Sequence, residues 1–144
     1  KHGGNAMNYQ EALAFIHKKN KVFGAENGFV YLKKTGELLY YANKSKDPVL
    51  PKSIKKITKK TYWCTSYINK FTLSKNVKYV NGNYLPVREG YLRKFYIPGK
   101  NKVKFVNCDA IDLQSKVTVY VNRHLKSYYK KVFRKCKNVK VRIG

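Results

Sequence analysis

The sequence predicts a strand-rich α+β fold: a short solenoid with parallel strand stacking. A helix and a β-hairpin open it, and a helix followed by a strand caps its C-terminal end. Three observations predict this. Strand openers recur at nearly equal steps, as Leu50-Pro51, Leu73-Ser74, Ile97-Pro98 and then Val121, which are 23, 24 and 24 residues apart. Each of the first three openers leads to two apolar residues three apart: Ile54 and Ile57, Val77 and Val80, Val103 and Val106. Each unit then closes on a β-rich run, "YINKFTL", "YLRKFYI" and "KVTVYV". A unit this small has one apolar side and cannot bury it alone. Stacking on a neighbour buries it and lets successive strands pair in parallel.

The elements follow in order. Lys1 to Ala6 read as a cloning remnant, with Met7 as the native start. Residues 8–19 are expected to form a capping helix. Asn8 and Glu11 have capping-box spacing, and Tyr9, Ala12, Leu13 and Ile16 fall on one face. Residues 27–43 predict a β-hairpin, Phe29 to Lys33 against Leu38 to Ala42, with Thr35-Gly36 at its turn. Residues 50–121 hold about three units, and residues 7–144 make one domain of an ordinary size. Residues 122–144 form the C-terminal cap. Leu125, Tyr128, Tyr129 and Val132 mark a helix face, and Val139, Val141 and Ile143 alternate as a last strand.

Stacking in this register predicts three inward ladders: Ile54/Val77/Val103, Phe71/Phe95/Val119 and Leu73/Ile97/Val121. The alternate positions then face solvent. In the closing strands these are Lys70/Lys94/Thr118 and Thr72/Tyr96/Tyr120; in the opening strands they are Lys55/Lys78/Lys104 and Lys56/Tyr79/Phe105.

"LPKSIKKITKKTYWC" and "IPGKNKVKFVNCDAI" carry an opener, paired aliphatics and a cysteine. In this the chain resembles bacterial leucine-rich repeat proteins of the BspA-like type. "ENGFVYLKKTGELLYYAN" is similar to the hairpin that often leads into such arrays, and "VTVYVNRHLKSYYKK" to their usual ending. The likeness spans about Asn27 to Lys131. The middle unit departs from it, with Ser74 in place of Pro and no Cys, and after Cys64 the apolar positions come one residue late. The resemblance implies a non-catalytic recognition surface for another protein, often on cells.

The chemistry-bearing residues are sparse. Seven acids are scattered, and the only close pair, Asp109 and Asp112, sits in an expected loop. Cys64, Cys108 and Cys136 lack CxxC spacing and are odd in number, so they read as buried, reduced thiols without metal. No phosphate loop, HExxH or GxSxG occurs, and neither an enzyme nor a cofactor is expected.

The charge is the stronger signal. The chain carries +25, from 32 Lys and Arg against 7 acids, with 13 Tyr. Such a field draws anionic partners. The expected binding residues are Lys55, Lys70, Lys78, Lys94, Lys104, Tyr79, Tyr96 and Tyr120, lysine columns beside aromatic columns. The first expected partner is an acidic protein. The second is nucleic acid or another anionic polymer, held by lysine on phosphate and bases on tyrosine. No membrane span is expected. A native start at Met7 implies a cytoplasmic protein; a trimmed fragment allows a secreted or cell-surface one.

Overall fold

The structure is a computed structural model; it describes residues 8–12, 21–64, 67–87, 90–113 and 116–144. It is α+β and strand-rich. Two of its sheets are parallel throughout and a third is mixed.

The mixed sheet comes first. β1 (Phe23–Glu26), β2 (Phe29–Leu32) and β3 (Leu38–Tyr41) form an antiparallel meander. The expected hairpin is its β2–β3 half, turning at Gly36 with φ +71°. The Asn27-Gly28 turn, both residues at positive φ, joins β1 to β2. β5 (Tyr62–Trp63) then lies parallel to β3, with Tyr41 opposite Trp63. The hairpin is therefore bonded directly to the segment that follows it. Asn8 and Glu11 exchange the two bonds of a capping box, at 2.8 and 3.1 Å, and residues 9–12 are helical. The rest of the expected helix lies outside the described residues.

β6 (Lys70–Thr72), β8 (Lys94–Ile97), β10 (Val117–Val121) and β11 (Val139–Ile143) form one parallel sheet. Its register is the expected one. Phe71 is opposite Phe95, Phe95 is opposite Val119, and Val141 continues the row. Phe71, Phe95 and Val119 are fully buried, and the two Phe rings stack with centroids 5.7 Å apart. Leu73, Ile97 and Val121 are buried as the neighbouring ladder.

β4 (Lys56–Ile57), β7 (Tyr79–Asn81) and β9 (Lys104–Val106) form the second parallel sheet. Between β4 and β7 the expected register holds, with Lys56 opposite Tyr79 and Ile57 opposite Val80; between β7 and β9 it fails by one residue. Tyr79 is opposite Lys104, not Phe105, and Val80 is opposite Phe105, not Val106. Phe105 thus takes the inward position, its ring against Phe95, Tyr129 and Phe133. An aromatic ring fills more of the space under the C-terminal helix than Val106 would. Val103 remains buried because two tyrosines clamp its peptide: its N–H donates to the Tyr129 hydroxyl at 3.0 Å, and Tyr128 donates to its carbonyl at 2.8 Å.

The C-terminal cap is a 3-10 turn, Arg123–Leu125, then a helix, Lys126–Val132, then β11. Leu125, Tyr129 and Phe133 are buried, while Tyr128 and Val132 are half-buried. β11 is less covered than expected: Val139 and Val141 are half-buried and Ile143 is exposed. It stands last in its sheet, and no strand among the described residues pairs with its outer edge.

One contiguous core runs from Phe29 to Cys136. Side chains also donate to backbone carbonyls of segments 20 to 26 residues away: Asn76 to that of Lys52, Ser74 to that of Ile54, Trp63 to that of Tyr84, and Asn138 to that of Asp112. Gly82 allows a close approach between units, since a Cβ there would lie 2.2 Å from the Asn107 carbonyl oxygen.

Candidate binding surface

Strand alternation sends one set of side chains outward from each sheet. On the four-stranded parallel sheet the outward rows are Lys70–Lys94–Thr118–Lys140 and Thr72–Tyr96–Tyr120–Arg142. None of these four strands carries an acid. Tyr96 and Tyr120 stack with centroids 4.5 Å apart and planes at 13°. The Lys70 ammonium sits 5.0 Å from the Tyr96 centroid on the β6 side. Both faces of Tyr96 are thus occupied. Gly144 packs against Tyr120, where a Cβ would lie 2.7 Å from Cδ1. This row therefore offers solvent hydroxyl tips and ring edges rather than open π faces.

The eight expected binding residues do not share one surface. Lys70, Lys94, Tyr96 and Tyr120 lie together on this sheet, as expected. Tyr79 and Lys104 lie on the other parallel sheet, with Lys56 beside Tyr79. Lys55 and Lys78 lie just before its strands, joined by a Lys78 N–H to Lys55 carbonyl bond of 2.8 Å. The predicted Lys55/Lys78/Lys104 column is broken by the one-residue shift. Phe95 meets Phe105 across the core, so the two sheets turn their outer faces to different sides. The basic face gains two residues instead, Lys140 and Arg142. The alternation of "KNVKVRI" announced that strand, and a further step from Val119 to Val141 would have placed it.

Other exposed aromatics stand apart from these rows. Tyr67 and Tyr91 meet edge-on at 5.0 Å beside Lys46, Asp47 and Asn69, around an open depression of about 720 Å³. Tyr62 is 49% exposed and stacks on Tyr40.

Two of the acids are used structurally. Asp112 accepts the Asn138 N–H at 2.6 Å, and Glu37 accepts from Thr58 and pairs with Lys60 at 3.9 Å. The cysteines differ from expectation. All three are free thiols, but Cys64 is exposed, Cys108 is half-buried and only Cys136 is buried. Trp63 takes the inward position in β5, and alternation turns Cys64 outward. Burial pushes the Cys108 thiol up to about 11, and it raises Cys64 and Cys136 as well. Among the described residues, no group of three His, Cys, Asp or Glu side chains is placed to hold a metal ion. No helix among them is long and apolar enough to cross a membrane.

No family model matches the chain, and neither a curated protein nor a solved structure is similar to it at a significant level.

Proposed function

We propose that the chain is a short solenoid of degenerate, BspA-like leucine-rich repeats, and that it works as a non-catalytic binding module for an acidic protein. The repeat reading is supported by the parallel pairing of strands at steps of 24, 24 and 22 residues, from Thr72 to Tyr96, Tyr120 and Arg142. The binding reading rests on one observation: the acid-free outer face of β6, β8, β10 and β11. Lys70, Lys94, Lys140 and Arg142 stand there beside tyrosines whose ring faces are already covered. Such a face suits carboxylates. Ammonium groups attract them at long range, and tyrosine hydroxyls donate to them at short range.

The test is a titration with an acidic polypeptide, comparing two variants of equal net charge. Lys70→Glu with Lys94→Glu and Lys140→Glu reverses the face. Lys52→Glu with Lys59→Glu and Lys75→Glu reverses exposed lysines off the sheet. The face variant should bind far more weakly than the control at every salt concentration. Equal weakening by both would reduce the effect to net charge and sink the assignment.

A second reading, binding of single-stranded nucleic acid, is favoured by different residues. Tyr67 and Tyr91 are 51% and 44% exposed and lie beside Lys46. Open rings next to a cation suit base stacking. Under this reading Tyr67→Ala with Tyr91→Ala weakens oligonucleotide binding, and the face variant loses mainly salt dependence.

A further inference from the structure

We infer that the free edge of β11 takes an extended strand from an acidic partner, adding it to the parallel sheet. This deepens the acidic-partner reading above and rests on it for the sign of the partner's charge.

β11 ends the sheet, with β10 on one side and no strand among the described residues on the other. Its backbone bonding shows which groups are free. Gly144 N–H donates to the Val121 carbonyl, and the Asn138 carbonyl accepts from Val117 N–H. The even-numbered residues therefore bond toward β10. Val139, whose N–H turns back to the Cys136 carbonyl, belongs to the outward set with Val141 and Ile143. The Val141 and Ile143 peptides are thus aimed away from the sheet, as a template for another strand. The side chains agree. Val139 and Val141 are half-buried and Ile143 is 43% exposed, although each continues a buried row of the core. On the opposite face the same strand carries Lys140 and Arg142.

Charge selects the occupant. A second copy brings another +25 to an edge that is already basic. Lysine on an edge is the usual guard against such pairing. A strand that alternates acidic and apolar residues meets no such barrier. Its acids face Lys140 and Arg142, and its apolar residues cover Val139, Val141 and Ile143.

The experiment uses a short synthetic peptide alternating Glu with Val or Thr, and a scrambled peptide of the same composition. Binding is read by fluorescence anisotropy and by amide hydrogen exchange. The wild type should prefer the alternating peptide, and the Val141 and Ile143 amides should gain protection on binding. Val141→Pro removes an N–H that β10 does not use, and should weaken binding at least about tenfold. Equal affinity for the scrambled peptide, or no added protection at these two amides, would overturn the proposal even if the proline variant fails to fold. If Lys70→Glu with Lys94→Glu weakens binding and a folded Val141→Pro does not, the edge proposal fails and the face reading stands. The reverse result upholds the edge and removes the face. Self-association that Val141→Pro abolishes, without peptide binding, would assign the edge to a second copy and overturn the acidic partner.

Discussion

β8 and β9 are neighbours in the chain, yet they hold their registers by different means. β8 lies between β6 and β10, with Phe95 stacked on Phe71 and opposite Val119, all three fully buried. Sliding such a strand by one residue would turn Phe95 into water and Lys94 or Tyr96 into the core. β9 lies at the end of its sheet, next to β7 alone. Its one-residue shift exchanges Val106 for Phe105, two apolar residues, and the C-terminal helix supplies Tyr129 and Phe133 to receive the larger ring. Register is firm where a slip would bury a charge and loose where it merely swaps one apolar residue for another.

The strongest way to break this contrast is to empty each inward position. Phe95→Ala should cost about 3–5 kcal/mol as an enclosed cavity. Phe105→Ala, at a half-buried position, should cost no more than about 2 kcal/mol. Urea midpoints at unchanged slope measure both. Equal losses would mean that the two sheets are held alike.

A second probe follows the thiols. Cys108 comes just after β9, and its pKa of about 11 against an ordinary 9.0 leaves roughly a hundredfold less thiolate near neutral pH. Exposed Cys64 should be alkylated first, with Cys108 and Cys136 protected until unfolding. Burial opposes the Cys108 thiolate in the folded state alone. Its contribution to stability is therefore complete below pH 9 and is lost as pH rises toward about 11. Simultaneous labelling of all three cysteines in the folded protein would show that the β9 end is open.

These contrasts also explain what the sequence could and could not reveal. The closing strands were legible because charged and apolar residues alternate in them, so only one phase keeps the lysines out. Of the opening strands, β4 and β7 pair as expected, but β9 does not, because "VKFV" offers two apolar phases and the deciding contact comes from Tyr129 and Phe133, more than twenty residues later. β1 carries only Phe23 and Ala25 between Gly24 and Glu26, too weak a pattern to announce a strand. The β3–β5 pairing is long-range and leaves no local signal. Of the expected site, the closing-strand half held together because its register did. In the other half Lys55 and Lys78 still lie side by side, and the shift displaces Lys104, which stands opposite Tyr79 instead of Lys78.

Two bonds tie the start of β11 to Asp112: the Asn138 side chain donates to its carbonyl, and the Asn138 N–H donates to its carboxylate, a bond that Asn138→Ala leaves in place. Only the side-chain bond is deleted outright, so the expected cost is about 1 kcal/mol. Faster exchange should be confined to β11 and should not reach β8.

Least of all should follow from Lys70→Glu with Lys94→Glu. These side chains lie opposite one another on β6 and β8 without an acid in the strands around them, so the native pair is a modest repulsion. Reversing both replaces one like pair with another and removes the Lys70 contact with Tyr96. Lys94 is exposed and Lys70 half-buried, and the expected change is within about 0.5 kcal/mol, the usual scale for groups that keep contact with water. The same double reversal should nevertheless weaken acidic-peptide binding strongly. Small cost and large loss together would identify residues kept on a rigid sheet for what they meet in solution. A large loss of stability would instead make Lys70 and Lys94 part of what holds β6 to β8, and the register contrast would then rest on the outer face as much as on Phe95.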